Sequence, residues 1–306
     1  MDKSCCMNEF IMTTMNGGFF MNKKRNFQLV ALDLDGTLFN SESQVSDENK
    51  AAIRKAARSG ITFVVSTGRP YRGLPLKLMT ELDIRYAITT NGAGIYKVPE
   101  KECLFENCMS ASLAADIVEE LLKLEIHMDL FVHGDAYTPS QCREIFLRIE
   151  RLPDSLKQYI LSTRESIPDM VSFLRENQVP VQKLTLNFLT DPDGNYTDRD
   201  NATRILNQYP DISYLSGGYG NLEFTGAGIS KGRGLALLCG YLDIPLKNTI
   251  ACGDSENDLD IMKAAGLGVA MANAPEEIRN QADDVTLSND RHGVAAMLEK
   301  WTGQPS

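Results

Sequence analysis

Apolar residues in this chain come in short blocks of two kinds. Phe27 to Leu32 is a mostly apolar run ending in acids and a glycine, the pattern of a strand buried on both faces. Beyond it Ala52, Ile53, Ala56 and Ala57 recur at helical spacing behind Ser46, a capping residue, and ahead of Gly60, a stop, predicting a helix to about Arg58. Ile61 to Val65 reads as a second buried strand, Gly73 to Leu82 as a helix whose start Pro75 limits, and Tyr86 to Thr89 as a third strand. Strand, helix, strand, helix, strand is the rhythm of a parallel sheet with crossover helices. It resumes near the C-terminus with a helix from Lys231 to Tyr241, a strand from Thr249 to Cys252, a helix to Ala265 and a strand from Gly268 to Met271.

The intervening segment is more mixed. Helices are predicted at Leu113 to Leu124, Gln141 to Arg151, Asp169 to Asn177 and Asp200 to Gln208, with strands at Met128 to Val132 and Lys183 to Leu189. At 306 residues the chain suits about two domains. It reads as an α/β domain formed by residues 22–109 and 214–306, with an α+β domain, residues 110–213, inserted into it. The reason is chemical: polar clusters at strand ends before and after the insertion complete one another. Residues 1–21 are expected to be a disordered extension, and the methionines at 1, 7, 12, 15 and 21 allow translation to begin at Met21.

Composition narrows the function classes. The chain is 43% hydrophobic and 24% charged, ordinary for a globular protein, and 31 basic against 41 acidic residues leave a formal charge of −10. That balance disfavours a broad nucleic-acid surface and gives no attraction to anionic lipid. Seven scattered cysteines without a Cys-x-x-Cys spacing read as reduced thiols, not a zinc site. No apolar run is long enough to span a bilayer, and Asn8, Glu9, Thr13, Thr14 and Asn16 interrupt any signal-peptide core, so a cytoplasmic protein is expected.

The candidate chemistry lies at strand and helix ends. Asp33 and Asp35 follow the first strand and, two apart, point to one side at the carboxyl end of the sheet, where open α/β folds bind ligands. Asp35-Gly36 is equally a turn dipeptide. Thr67 and Gly68 end the second strand with a hydroxyl and a backbone N–H suited to an anionic oxygen, although Ser-Thr-Gly is also ordinary loop composition. Asp254 follows the later strand, and Ser255-x-x-Asp258 can be a capping box with no function beyond the helix. Lys231 opens a helix, where a cation opposes the dipole unless it serves a bound anion. Ser230 before it and Gly232 after it exclude a nucleotide-binding P-loop, and Tyr196 and Ala202 exclude a calcium loop at Asp191.

Together, Asp33 to Thr37, Ser66 to Arg69, the glycine-flanked Lys231 and Gly253 to Asp258 resemble, in order, the four-motif signature of the haloacid dehalogenase superfamily. Thr89 to Ala93, Gly268 to Ala274 and the tail from Ala282 to Val294 are similar to its Cof-type, class IIB phosphatases, and the similarity spans roughly Phe27 to Leu298. His292 stands where that family often carries an acid, and no role is attached to it.

The resemblance implies a Rossmann-like parallel-sheet core with an inserted α/β cap. Carried over by motif, Asp33 would be the nucleophile that forms an aspartyl-phosphate. Asp35 would protonate the leaving oxygen and then activate water. Asp33, Asp254 and the Asp35 backbone carbonyl would hold Mg²⁺; Leu34, Thr67, Gly68, Lys231 and Asn257 would bind phosphate, with Asp258 behind them. A phosphate monoester repels a carboxylate nucleophile, so a cation and Lys231 are needed to cancel charge. Asp35 favours phosphoryl transfer over dehalogenation, because an ester oxygen needs a proton on leaving and a halide does not.

The expected function is thus a Mg²⁺-dependent phosphatase acting on a small phosphorylated metabolite, a sugar phosphate or a phosphorylated cofactor, in a monomer or small homo-oligomer. The alternatives are a phosphomutase or phosphotransferase using the same intermediate, and a catalytically idle regulator that binds the ligand. Specificity residues are sought among Arg69, His133, Asp135, Tyr137 and Tyr159, each of which also has a structural explanation.

Overall fold

The computed structural model describes residues 26–303; the expectations for the N-terminal extension, Cys5 and Cys6 lie outside them. The first stretch runs β1 (Leu29–Leu32), α1 (Asp47–Arg58), β2 (Thr62–Ser66), α2 (Leu76–Glu81), β3 (Tyr86–Thr89), β4 (Gly94–Lys97) and β5 (Glu102–Glu106). The middle comprises α3 (Ala111–Leu121), β6 (Ile126–Val132), β7 (Asp135–Pro139), α4 (Ser140–Leu147), α5 (Asp154–Thr163), β8 (Glu165–Ile167), α6 (Met170–Asn177), β9 (Lys183–Phe188), α7 (Arg199–Leu206), β10 (Ile212–Leu215) and β11 (Leu222–Gly226). The chain closes with α8 (Lys231–Leu242), β12 (Thr249–Gly253), α9 (Leu259–Ala264), β13 (Leu267–Ala270), α10 (Glu276–Arg279), β14 (Asp284–Val285) and α11 (Gly293–Thr302).

Two sheets result. The first has the order β14-β13-β12-β1-β2-β3-β4-β5 and is parallel from β14 to β3, so β1 sits centrally between β12 and β2. Alternate residues of β1 feed two separate cores: Val30 and Leu32 pack with Ile53 of α1 and Val294 of α11, Leu29 and Ala31 with Leu235 of α8 and Ile261 of α9. Burial on both faces is why this strand reads as a continuous apolar run. The α/β expectation with a parallel-sheet core holds.

The second sheet, order β10-β11-β9-β6-β7-β8, is antiparallel except at its β7-β8 edge. One face carries Met128, Leu130, Leu184, Leu186 and Phe224 against residues of α3, α6 and α7. The other face presents Asp129, Phe131, Lys183, Thr185, Asn187 and Glu223 toward the first sheet. A polar sheet face of this kind is ordinarily solvated, yet here Asp129, Lys183, Thr185 and Asn187 are all buried.

Three sequence readings need correction. The inserted unit does not stop at residue 213: β11 pairs with β9, so the second sheet continues through Gly226. The connection holding Gly217, Gly218 and Gly220 joins two antiparallel strands of one sheet, β10 and β11. The helix expected from Gly73 begins at Leu76, because Pro75 forms its N-cap and Tyr71–Gly73 closes as a separate 3₁₀ turn. The antiparallel extension β4-β5 was not anticipated.

Both crossings between the sheets lie side by side. Met109, on the outward crossing, pairs with Val181, and a Cβ built on Gly226, at the return, would stand 3.8 Å from the Met109 nitrogen. Among the described residues no helix is long and apolar enough to cross a membrane, and Cys103, Cys108, Cys142, Cys239 and Cys252 are free thiols.

Candidate active site

The carboxyl ends of β1, β2 and β12 meet at one point. Asp33 continues β1 by donating its backbone N–H to the Cys252 carbonyl at 3.0 Å, which fixes its side chain beside the end of β12. The chain then turns sharply, Phe39 donating to the Leu34 carbonyl at 2.8 Å. Leu34 is buried, and Asp35 emerges with its side chain 58% exposed. Gly36 has φ +82°, and a Cβ on it would lie 2.3 Å from Asp254 Oδ2, so the turn requires glycine for both backbone and space.

Lys231, 1% exposed, is the hub. Its Nζ donates to Asp33 Oδ1 at 2.7 Å, Asp258 Oδ1 at 2.6 Å and Asn257 Oδ1 at 3.2 Å. Burial works against the ammonium charge, but Asp258 and Asp33 outweigh it and hold its pKa above that of an ordinary lysine. The expected capping box exists as well: Asp258 Oδ2 accepts from the Asp254 and Ser255 N–H groups at 3.1 Å each. Asp258 therefore caps a helix with one oxygen and anchors the lysine with the other.

Carboxylate oxygens of Asp33, Asp254 and Asp258 come within 4.8 Å of one another. Burial and then neighbouring carboxylates raise the Asp33 pKa well above the usual range, against the pull of Lys231. Burial, followed by Asp258, pushes Asp254 up to about 7 even though Thr37 donates to its Oδ1 at 2.8 Å. One lysine is thus too little positive charge for the cluster. Asp258 has both oxygens engaged, whereas Asp33 Oδ2 and Asp254 Oδ2 accept no hydrogen bond among the described residues. An all-oxygen donor set with unspent negative charge fits a hard divalent cation.

Thr67 and Gly68 line the same cleft, and so do Asp33, Asp35 and Asn257. The Thr67 Oγ1 accepts from the Arg69 N–H at 3.2 Å, and the Gly68 carbonyl accepts from Lys183 Nζ at 2.7 Å. Asn257 Nδ2 reaches Asn91 Oδ1 at 3.3 Å, Asn91 Nδ2 reaches Glu223 Oε2 at 2.6 Å, and Glu223 pairs with Lys183 at 2.9 Å. A hydrogen-bonded chain therefore links Lys231 to the second sheet. Asn91, Lys183 and Glu223 were given no site role in the sequence reading; the signals available were the place of Asn91 in the Thr89–Ala93 motif and the alternation of Lys183, Thr185 and Asn187 with apolar residues in β9, which marks one polar face.

Of the specificity candidates, Arg69 is neither solvated nor free. Its Nε and Nη2 grip both oxygens of Asp35 at 2.8 and 2.5 Å, and its guanidinium lies 4.3 Å from the centre of the Tyr159 ring, which lines the cleft. His133 pairs with Glu106, Asp135 with Lys101, and Tyr137 packs on Phe173. The cleft between the sheets encloses about 630 Å³, with Asp33 and Asp35 on one wall and the polar face of β6, β9 and β11 on the other.

Comparison with known proteins finds matches over most of the chain. Residues 30–298 match the family described as haloacid dehalogenase-like hydrolase. The phosphatase YwpJ of Bacillus subtilis is 34% identical over 284 residues, covering 89% of this chain and 99% of that protein. The 5-amino-6-(5-phospho-D-ribitylamino)uracil phosphatase YcsE of the same bacterium is 28% identical, covering 90% of this chain and 96% of its own. The solved structure of a haloacid dehalogenase-like hydrolase from B. subtilis superimposes with a TM-score of 0.77 at 34% identity, over 89% of this chain and 99% of that one.

Proposed function

The chain belongs to the haloacid dehalogenase-like hydrolases, and on that premise we propose that it is a divalent-metal phosphatase that hydrolyses a small phosphorylated metabolite through an aspartyl-phosphate on Asp33. The observation that carries this reading is the state of Asp33: Lys231 holds one carboxylate oxygen at 2.7 Å, leaving the other unpartnered at the foot of the cleft.

Asp33 Oδ2 attacks phosphorus as the bond to the leaving oxygen breaks, and Asp35 delivers the proton that oxygen needs. Water then attacks the aspartyl-phosphate, Asp35 takes a proton from it, and Asp33 is released with inorganic phosphate. Arg69 occupies both Asp35 oxygens in this arrangement, so proton delivery requires the guanidinium to let one of them go. Thr67, Lys231, Asn257 and the backbone amides of Leu34 and Gly68 receive the phosphoryl oxygens. Mg²⁺, held by Asp33, Asp254 and the Asp35 carbonyl, would neutralise charge on the phosphoryl group as it transfers.

The test is phosphate release with and without Mg²⁺ across sugar phosphates, flavin and pyridoxal phosphates, nucleotides and an aryl phosphate. Asp33→Asn should lower kcat by about four orders of magnitude or more with an unchanged circular dichroism spectrum, and Asp35→Asn should also stop turnover. Phosphate release by Asp33→Asn at the wild-type rate would remove the mechanism. Inorganic phosphate as the product separates a phosphatase from a mutase or transferase, and any turnover excludes an idle binding protein.

A further inference from the structure

Resting on the phosphatase reading, we propose that the polar wall formed by β9, β6 and β11 selects a leaving group that is uncharged and rich in hydroxyls, with Thr185 as the residue that reads it, and that it rejects both a second phosphate and a flat aromatic ring. Thr185 pairs in register with Asp129 on one side and Glu223 on the other, so three polar side chains stand in one row across the cleft face. Thr185 Oγ1 is buried and has no hydrogen-bond partner among the described residues. A buried hydroxyl left unmade is costly unless something fills it. The row starts close to the reacting phosphoryl group, because Lys183, one strand repeat or about 7 Å before Thr185, is bonded to the Gly68 carbonyl.

Charge on this wall is already spent. Among the described residues three cations line the cleft above Lys231, and each is held by a carboxylate: Lys183 by Glu223, Arg164 by Asp129 and Arg69 by Asp35. Asp33 makes four acids against those three cations. A second phosphate beside Thr185 would have to break the Lys183–Glu223 or the Arg164–Asp129 pair to find a counter-charge, at the cost of leaving a carboxylate buried alone. Hydroxyls need no such exchange. They can take the third N–H of Lys183, whose other two go to Gly68 and Glu223, and both lone pairs and proton of Thr185.

The aromatic groups in the cleft are similarly committed. Arg69 covers Phe39 and Tyr159, and Arg164 and Lys183 lie over Phe131 at 5.1 and 4.9 Å. The remaining ring, Tyr219, is 55% exposed. Among the described residues lining the cleft, no two rings free of a stacked cation stand ready to sandwich a flavin, a pyridine or a purine.

The experiment compares kcat/KM for phosphate release, with Mg²⁺, from a hexose 6-phosphate and a pentitol 5-phosphate against hexose 1,6-bisphosphate, pyridoxal phosphate, flavin mononucleotide and p-nitrophenyl phosphate. The polyol monophosphates should exceed the bisphosphate and ring compounds by about tenfold or more. Thr185→Val, which keeps the side-chain shape, should lower kcat/KM for the better polyol phosphate about fivefold more than for p-nitrophenyl phosphate, and Thr185→Ser should restore the ratio. Bisphosphate or ring phosphates turned over as well as the polyols, or equal losses on both substrates in Thr185→Val, would overturn the inference while leaving the phosphatase reading intact. Failure to hydrolyse any compound, the aryl phosphate included, would overturn that reading and the inference with it.

Discussion

Lys231 illustrates what single residues reveal at each stage. Its place at a helix start, unfavourable for a cation, marked it in the sequence; its three oxygen partners, on Asp33, Asp258 and Asn257, explain how that cost is offset. Lys231→Met should strand Asp33 and Asp258 in a buried site, destabilising the protein by about 3–5 kcal/mol, read by urea unfolding, and abolishing turnover. Asp129 makes a pH prediction. Burial opposes its ionisation, but Arg164, His127 and Thr138 hold its pKa below the ordinary carboxylate value. A depressed folded pKa adds stability that is complete above the unfolded value, about 4, and is lost as pH falls through the folded one. Urea midpoints of the wild type should therefore fall with acidification below about pH 4, and Asp129→Asn, less stable at neutral pH, should flatten that slope. Asp33, Asp35, Thr67, Lys231, Asp254 and Asp258 were legible because the sequence concentrates them at strand and helix ends. Lys183, Thr185 and Glu223 were not, because they become neighbours only through strand register in the second sheet.

Among elements, legibility followed burial. β3 was read to the residue as a short, mostly apolar run, and α1 to its Ser46 cap from its helical spacing. The strands β7, β8, β10 and β11, three to five residues each, were missed because their mixed polar and apolar composition does not separate them from a loop. α5 was also missed, and it matters most, because it carries Tyr159 against the core. A Cβ on Gly73 would lie 1.9 Å from Tyr159 Oη, so Gly73→Ala should drive α5 off the Tyr71–Gly73 turn. The expected result is a loss of about 1–3 kcal/mol in stability, with a raised KM and faster proteolytic cleavage within α5. Unchanged KM and cleavage would show that this contact does not seat the helix.

Across the whole molecule, a net charge of −10 coexists with a site built for an anion. In the proposed mechanism the difference is local: Lys231 and a divalent cation would govern the field that the phosphoryl group meets. Without a cation, Asp33 and Asp254 repel each other in a buried place, so Mg²⁺ should raise the melting temperature by binding the folded state alone. Asp254→Asn should melt higher than the wild type in chelator and show no further rise with Mg²⁺, measured by differential scanning calorimetry. A wild-type melting temperature indifferent to Mg²⁺ would count against the cation site.

The paired crossings at Met109 and Gly226 have a consequence for modularity. A unit whose entry and exit touch is, to the sheet that carries it, one long loop between neighbouring posts. The residues proposed to carry out hydrolysis, Asp33, Asp35, Thr67, Lys231 and Asp254, lie outside that loop, whereas Thr185, Glu223 and Tyr159 lie within it. Exchanging the segment between those two posts for one from a relative would be a change of lock on an unaltered door frame.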